Sequence, residues 1–257
     1  MTRIDVNRHP DPVVLAEAVA GRLISTVVQA QAATGSACVV LTGGRIGTDV
    51  LAAVAASPAR DSIEWDRLDV WWGDERYLPA GDPDRNDTGA RAALLDRVKA
   101  DPARVHAVPG PDRTAGPDES AAAYAAELGR HARPEDHGPV PTFDVLLLSI
   151  GPDGHVASLF PEQPALHDPR ACCAVRGAPK PPPTRVTLTM PTLNAAREVW
   201  ILASGDEKAG AVAMALSGSA GLFQVPAAGV HGRERTLWLV DEAAARRLPP
   251  AIGRPSA

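Results

Sequence analysis

Hydrophobic residues recur along this chain with two different spacings. Between positions 12 and 32, Leu15, Val19, Leu23 and Val27 follow one another every fourth residue, which places them on one face of a helix. Elsewhere the apolar residues form short, almost unbroken runs, which are typical of strands buried on both faces of a parallel sheet. The predicted strands cover residues 37–41, 68–72, 145–149, 199–203 and 237–240.

Further helical stretches lie between these strands, at residues 48–56, 118–131 and 207–216. Strand and helix therefore alternate, which predicts an α/β fold with a doubly wound open sheet. Residues 101–118 and 178–185 are rich in proline and glycine and are interpreted as connectors. Neither connector divides the chain, so we expect a single domain over residues 1–257.

The composition of the chain argues against nucleic acid, membrane and metal as partners. The chain is 45% apolar and 22% charged with a net charge of -5, and this balance gives no general affinity for nucleic acid. We found no unbroken run of about 18 apolar residues, so we expect no membrane insertion. The polar start and the three cysteines favour the cytoplasm. Without a CxxC motif or a Cys/His set at ligand spacing, no metal is expected.

The first candidate loop, "TGGRIGTDVL", follows the strand at residues 37–41. Gly43 and Gly44 allow a tight turn and a close approach to a ligand, and a helix starting near Thr48 offers free N–H groups to an anion. The loop matches neither GxGxxG nor GxxxxGK[ST], so neither a dinucleotide nor a nucleoside triphosphate is indicated. A plain tight turn explains the two glycines equally well.

The second candidate loop follows the strand at residues 68–72. It places Asp74, Glu75 and Arg76 in succession at a strand end, where ligands bind in open α/β sheets. A solvated surface loop is the alternative interpretation.

The third candidate loop follows the strand at residues 145–149. Gly151 and Gly154 shape a turn there, and His155 stands at its exit. A lone histidine is more often structural, but its place beyond a buried strand favours a catalytic role.

Three segments carry a family resemblance: "GPDGHVASLFP", "WWGDERYLPAGDPDRN" and "PKPPPTRVTLTMPTLNAAREVWILASGDEKAGAV". Together they resemble the 6-phosphogluconolactonase family of the pentose phosphate pathway, and the similarity extends to "LWLVDEAAA" near the C-terminus. The resemblance implies a Rossmann-like, mainly parallel sheet with a smaller lobe, shared with glucosamine-6-phosphate deaminase and ribose-5-phosphate isomerase. It implies hydrolysis of 6-phospho-D-glucono-1,5-lactone to 6-phosphogluconate, with no metal and no organic cofactor.

The resemblance also implies the residues that hold the substrate. Arg76, Lys180 and Arg185 match family positions, and guanidinium and ammonium groups suit a phosphate. Arg45 is a further candidate, from a loop that departs from the Ser-Thr-Pro-like continuation common in the family. The expected substrate- and phosphate-binding set is Thr42, Gly43, Gly44, Arg45, Asp74, Glu75, Arg76, Gly151, Gly154, Lys180 and Arg185.

For catalysis we expect His155 to act as the general base. An ordinary histidine has a pKa of about 6.5, so it can take a proton from water and return it to the departing ring oxygen. Asp153 is expected to orient the imidazole or the water, although its spacing suits a turn-forming aspartate equally. A serine nucleophile is disfavoured, because the chain has no GxSxG motif.

Two other functions occur on folds of this kind. Deaminases of this fold share the Asp-Gly-His loop but resemble "FNEP" after it, whereas this chain continues Ser158-Leu159-Phe160-Pro161. A sugar-phosphate-sensing regulator would need a DNA-reading element, and no helix-turn-helix extension or basic stripe is recognisable. The expected partner is therefore a small phosphorylated sugar lactone, and the protein is expected to be a monomer or a weak homodimer.

Overall fold

The computed structural model describes residues 3–136, 138–250 and 252–253. The strands of the described residues are β1 (Arg3–His9), β2 (Ala37–Leu41), β3 (Leu68–Trp72), β4 (Asp74–Arg76), β5 (Val145–Ser149), β6 (Cys172–Val175), β7 (Arg185–Leu188), β8 (Glu198–Ala203) and β9 (Arg235–Asp241). The α-helices are α1 (Pro12–Thr34), α2 (Gly44–Ala56), α3 (Asn86–Ala93), α4 (Pro117–His131), α5 (Met190–Leu193), α6 (Ala209–Leu216) and α7 (Glu242–Ala245).

The main sheet has six strands in the order β1-β9-β8-β5-β2-β3. Every neighbouring pair in it is parallel, so all carboxyl ends lie at one edge. The predicted α/β class with a mainly parallel sheet is confirmed. The five predicted strands are all present, and two of them, β8 and β9, extend slightly beyond the predicted bounds.

Both faces of this sheet are buried, which explains the unbroken apolar runs. Along β5, Val145 and Leu147 belong to the core that includes the buried faces of α1 and α2, whereas Leu146 and Leu148 belong to the core that includes α4. All four side chains are buried. A strand with one solvent-facing side would instead alternate apolar and polar residues.

A second, three-stranded sheet in the order β4-β7-β6 forms the smaller lobe. Its pairs are antiparallel, with Asp74 opposite Thr187 and Arg76 opposite Arg185. The sequence patterns predicted only a loop at Asp74–Arg76, because a three-residue charged strand is defined by its partner and not by its own composition. This pairing brings the second candidate loop against the proline-rich connector.

Further details differ from the sequence predictions. Residues Arg3–His9 of the polar N-terminal segment form β1, an edge strand that was not predicted and that pairs with β9. Helix α2 begins at Gly44 rather than at Thr48, so the two glycines stand at the helix N-terminus itself. The helix predicted at residues 207–216 begins with a 3-10 turn, Asp206–Lys208, and becomes α-helical at Ala209.

Among the described helices, α1 is long and apolar enough to cross a bilayer by length and composition alone. Its predicted apolar face is buried in the core, with Leu15, Val19, Leu23 and Val27 all 5% exposed or less. Core helices of globular proteins share this composition, and the buried face accounts for it here.

Candidate active site

The carboxyl ends of the central strands and the smaller lobe enclose a cavity of about 220 Å³. Most of the residues predicted from the sequence line this cavity: Thr42, Gly43, Gly44, Asp74, Arg76, Gly151, His155, Lys180 and Arg185. Asn86, Ser149 and Lys208 line it as well and were not predicted.

Four predicted residues lie outside the cavity lining. Arg45 is exposed on the first turn of α2, and Glu75 is buried beside the start of α3. Asp153 contacts Nδ1 of His155 through its carboxylate. Gly154 backs onto Val225, since a Cβ added to it would lie 2.7 Å from the valine Cγ1.

The first loop forms the N-terminus of α2. Its N-cap residue, Gly43, makes no side-chain cap hydrogen bond, so the first N–H groups of the helix have no side-chain acceptor from the cap. A Cβ on Gly43 would lie 1.9 Å from Oδ1 of Asn86, so only glycine fits beneath that amide. Gly44 has φ +79, which also favours glycine. The result is an open anion-binding helix terminus at the cavity wall.

Two hydroxyl groups tie the ends of β2 and β5 together. The Ser149 N–H donates to Oγ1 of Thr42 at 3.1 Å, and the Ser149 hydroxyl donates to the Gly43 carbonyl at 3.0 Å. Ser149 therefore supports the glycine loop. Because its proton is directed at a backbone carbonyl, the hydroxyl has the geometry of a structural hydrogen bond and not that of an activated nucleophile.

The third loop is closed by two backbone hydrogen bonds. The Gly151 N–H donates to the His155 carbonyl at 2.9 Å, and the Gly154 N–H donates to the Gly151 carbonyl at 3.0 Å. Gly154 has φ +84, which glycine adopts without strain. A Cβ on Gly151 would lie only 2.0 Å from Nδ1 of His155, so the imidazole packs directly over this glycine.

Asp153 fixes the orientation of the imidazole. Its Oδ1 lies 2.5 Å from Nδ1 of His155, which leaves Nε2 for a ligand or water. Burial alone would raise the pKa of Asp153, but the hydrogen bond and the charge of His155 outweigh it and lower the pKa of Asp153 to about 2. The ring of Phe160, with its centroid 4.5 Å from that of the imidazole, packs against His155.

Arg185 organises the proline-rich connector from inside. It is 4% exposed, and its Nε donates to the Pro182 carbonyl at 3.1 Å while Nη2 donates to the carbonyls of Lys180 and Pro181 at 3.0 and 3.2 Å. Burial lowers the pKa of Arg185, and the Asp74 charge opposes that effect. The guanidinium thus holds in place the backbone that carries Lys180.

Asp74 lies at the base of the cavity and is 7% exposed. Its Oδ2 accepts a hydrogen bond of 2.6 Å from the Ser158 hydroxyl and lies 3.8 Å from Nη1 of Arg185. The Asn86 amide donates to the Asp74 carbonyl oxygen at 2.9 Å. Asp74 therefore links the smaller lobe to the loop that carries His155.

Glu75 serves the local fold. Its carboxylate accepts hydrogen bonds from the backbone N–H groups of Arg76, Asn86 and Asp87 at 2.7–2.8 Å, and so caps the start of α3. Burial raises the pKa of Glu75 to about 7, against the opposing charge of Arg85.

Cationic side chains surround the cavity. Arg76, half-buried, donates from Nη1 to the Asp84 carbonyl at 2.5 Å, and its buried Nε has no hydrogen-bond partner among the described residues. Burial lowers the pKa of Lys208, and the nearby Lys180 charge lowers it further. A half-buried lysine beside a second lysine indicates a site that suits an anion.

A family model described as glucosamine-6-phosphate isomerases/6-phosphogluconolactonase matches residues 10–238. The chain belongs to this family. The 6-phosphogluconolactonase of Streptomyces coelicolor is 59% identical over 251 residues, covering 96% of each chain. That of Mycobacterium tuberculosis is 47% identical, covering 93% of this chain and 96% of its own.

Solved structures agree with this family and with the predicted fold. The 6-phosphogluconolactonase of Thermotoga maritima superposes with a TM-score of 0.80 at 26% identity, covering 93% of this chain and all of its own. A monomeric glucosamine-6-phosphate deaminase superposes with a TM-score of 0.76 at 18% identity, covering 95% and 99% of the two chains, and shows a shared fold alone.

Two of the cavity residues that the sequence patterns missed, Asn86 and Lys208, lie within the segments that carry the family resemblance. Lys208 is in "GDEKAGAV", directly after β8, and Asn86 ends "GDPDRN". For Lys208, the available signal in the sequence was its position after the parallel strand β8. For Asn86 the sequence offered no such signal, because its role arises from packing over Gly43.

Proposed function

We propose that the protein hydrolyses 6-phospho-D-glucono-1,5-lactone to 6-phospho-D-gluconate, in the oxidative branch of the pentose phosphate pathway. The observation that carries the proposal is one cavity that joins an aspartate-oriented imidazole, His155, to a cluster of cations. The relative at 59% identity bears the name of this activity. The protein is accordingly a hydrolase acting on a carboxylic ester.

The phosphate group of the substrate binds where cationic side chains line the cavity. The N–H groups at the start of α2, which no cap side chain accepts, bind its oxygens, and Arg76, Lys180 and Lys208 supply the opposing charge. Arg185 contributes chiefly by holding the backbone of residues 180–182, since two of its nitrogens already donate to carbonyls there. The phosphate thereby fixes the position of the lactone ring.

The reaction begins at Nε2 of His155. The Nδ1–H group donates a hydrogen bond to Asp153, so the unprotonated Nε2 takes a proton from water as the water oxygen attacks the lactone carbonyl carbon. Asp153 stabilises the imidazolium that forms, because its pKa of about 2 keeps the carboxylate ionised at neutral pH. The imidazolium then returns the proton to the ring oxygen as the bond from carbonyl carbon to ring oxygen breaks. The products are a carboxylic acid, which ionises, and a sugar hydroxyl.

No metal or organic cofactor enters these steps. Every proton transfer uses His155, and the charge on the phosphate is matched by side chains of this chain. A chelator is therefore expected to leave the hydrolysis rate unchanged.

The test is the disappearance of freshly generated 6-phosphogluconolactone above its spontaneous hydrolysis. Unphosphorylated glucono-1,5-lactone is the matched substrate control, and it is expected to react far more slowly at equal concentration. The family also contains isomerases, so ammonia release from glucosamine 6-phosphate is measured in parallel. Ammonia release without lactone hydrolysis would replace this proposal by a deaminase.

A further inference from the structure

A cluster of histidine and carboxylate side chains lies at the opposite end of the main sheet from the catalytic cavity. Asp69 is the second residue of β3, His131 ends α4, and His106 follows Val105, which forms a bridge with Val70. One ligand atom from each of Asp69, His106 and His131 lies within 4.8 Å of the other two. The proposed hydrolysis uses none of these residues.

The spacing within the cluster suits a small transition-metal ion. Nε2 of His106 and Oδ1 of Asp69 are 3.1 Å apart. In a tetrahedral zinc site with bonds of about 2.0–2.1 Å, neighbouring ligand atoms are about 3.3 Å apart. The Asp69–His106 pair therefore already has the separation that two ligands of one ion require, and His131 brings a ring nitrogen within 4.8 Å of both.

One carboxylate oxygen of Glu127 contacts both imidazoles. Its Oε1 lies 3.2 Å from Nδ1 of His106 and 3.2 Å from Nε2 of His131. Histidines that bind metals generally donate their other ring N–H to a carboxylate in this way, which fixes the tautomer and the ring orientation. The nitrogens left for an ion are then Nε2 of His106 and Nδ1 of His131.

The remaining carboxylate oxygens are already paired. Arg104 donates to Oδ2 of Asp69 at 2.7 Å, and Arg130 pairs with Oε2 of Glu127. Asp69 thus turns Oδ1 toward the histidines, and Glu127 turns Oε1 toward them. The two arginines reduce the net negative charge, so the affinity for a cation rests on the two imidazole ligands.

The histidines of the cluster pack on Trp71, and the cluster is open to solvent on one side. His106 is buried and stacks on Trp71 with a centroid separation of 3.9 Å, and the ring of His131 meets the same indole edge-on at 5.5 Å. Asp69 and His131 line a cavity of about 830 Å³, which gives an ion and its water an entry path.

We propose that Asp69, His106 and His131 form a binding site for a zinc-class transition-metal ion, with water as the fourth ligand. Two imidazoles and one carboxylate are the donor set that suits such ions. The ion would join the start of β3 to the end of α4, and so would stabilise the fold at the end of the sheet remote from catalysis. This inference stands apart from the proposed hydrolysis and does not depend on it.

The test is thermal unfolding and calorimetric titration of the full-length protein with ZnCl₂ after treatment with a chelator. We expect one tight site per chain and a rise in Tm of about 5 °C or more at a hundredfold excess over Kd. His131→Ala, on a half-exposed side chain, is expected to abolish both effects without loss of lactone hydrolysis. His231→Ala, on an exposed histidine elsewhere, is the matched control and is expected to retain both.

Two further variants separate this site from other zinc binding. His155→Ala removes the imidazole of the catalytic cavity and is expected to leave the zinc-dependent Tm shift intact. His106→Gln is expected to remove the shift. An unchanged Tm in wild type, or a shift that persists in both His131→Ala and His106→Gln, would show that the cluster is only a network of ion pairs and would overturn the proposal.

Discussion

The glycines of the candidate site are required by the side chains that pack on them. Gly151 lies beneath the imidazole of His155, and Gly43 lies beneath the amide of Asn86. The sequence showed that these glycines shape turns, but a turn alone does not reveal which neighbour occupies the space above it. Their second role is visible only when the loops are brought together.

Gly151→Ala is expected to displace the imidazole and to reduce kcat on the order of 100-fold, the effect of misplacing a catalytic group by about 1 Å. The measurement is steady-state lactone hydrolysis, with circular dichroism to show that the variant folds. Gly21→Ala is the matched control, because a Cβ at Gly21 on α1 meets nothing within 4 Å. If both variants keep full activity, the imidazole is not fixed in the way that the packing over Gly151 indicates.

Lys208 lines the cavity, and the sequence patterns did not single it out. Lys208→Ala is expected to raise KM for the phosphorylated lactone about tenfold or more, the effect of losing one charged hydrogen bond, with little change in kcat. Lys99→Ala removes an exposed lysine and is the control. Equal kinetics in the two variants would exclude Lys208 from phosphate binding.

At the scale of elements, β4 and α3 are joined by one buried carboxylate. Glu75 accepts the first N–H groups of α3 from its place in β4. The sequence suggested a ligand-binding acid there, since charge at a strand end is typical of a site. The pairing of β4 with β7 instead turns this side chain away from the cavity, and neither the pairing nor its direction could be predicted from three residues.

The raised pKa of Glu75 predicts a pH dependence of stability. Between about 4.5 and 7, the folded protein keeps a proton on Glu75 that the unfolded chain has lost. The unfolded chain therefore binds fewer protons, and the contribution of Glu75 to the free energy of unfolding falls as the pH rises through this window. Glu75→Gln is expected to flatten this fall, measured by urea unfolding at pH 4.5 and pH 7.

The matched control for this pH effect is Glu64→Gln, which changes an exposed glutamate paired with Arg67. It is expected to leave the pH profile as in wild type. A Glu75→Gln profile that runs parallel to wild type would show that Glu75 is ionised in the folded protein throughout the window.

At the scale of the whole molecule, an acidic protein concentrates positive charge at one cavity. The chain carries a net charge of -5, yet Arg76, Lys180, Arg185 and Lys208 all line the same site. KM for the phosphorylated lactone is therefore expected to rise severalfold between about 0.05 and 0.5 M salt as these charges are screened. KM for the unphosphorylated lactone is the control and is expected to stay constant; an equal salt effect on both would contradict electrostatic capture of the phosphate.

The class of the fold could be predicted because each central strand is buried on both faces and each helix has one apolar face. The smaller lobe was implied by the family resemblance alone. The hydrophobic pattern did not reveal its strands, because Asp74–Arg76 and Arg185–Leu188 are short and far apart in the chain. The histidine cluster was missed for the same reason. Asp69, His106 and His131 show no ligand spacing in the sequence, and only the topology brings them together.

The central claim is that His155, oriented by Asp153, activates water for lactone hydrolysis. The most direct measurement compares wild type with His155→Ala on freshly generated 6-phosphogluconolactone in chelator-treated buffer, with His231→Ala as the control for an exposed histidine. We expect wild type and His231→Ala to exceed spontaneous hydrolysis strongly, and His155→Ala to lose at least 100-fold in kcat, the usual contribution of a general base. Full activity in a folded His155→Ala protein would contradict the account.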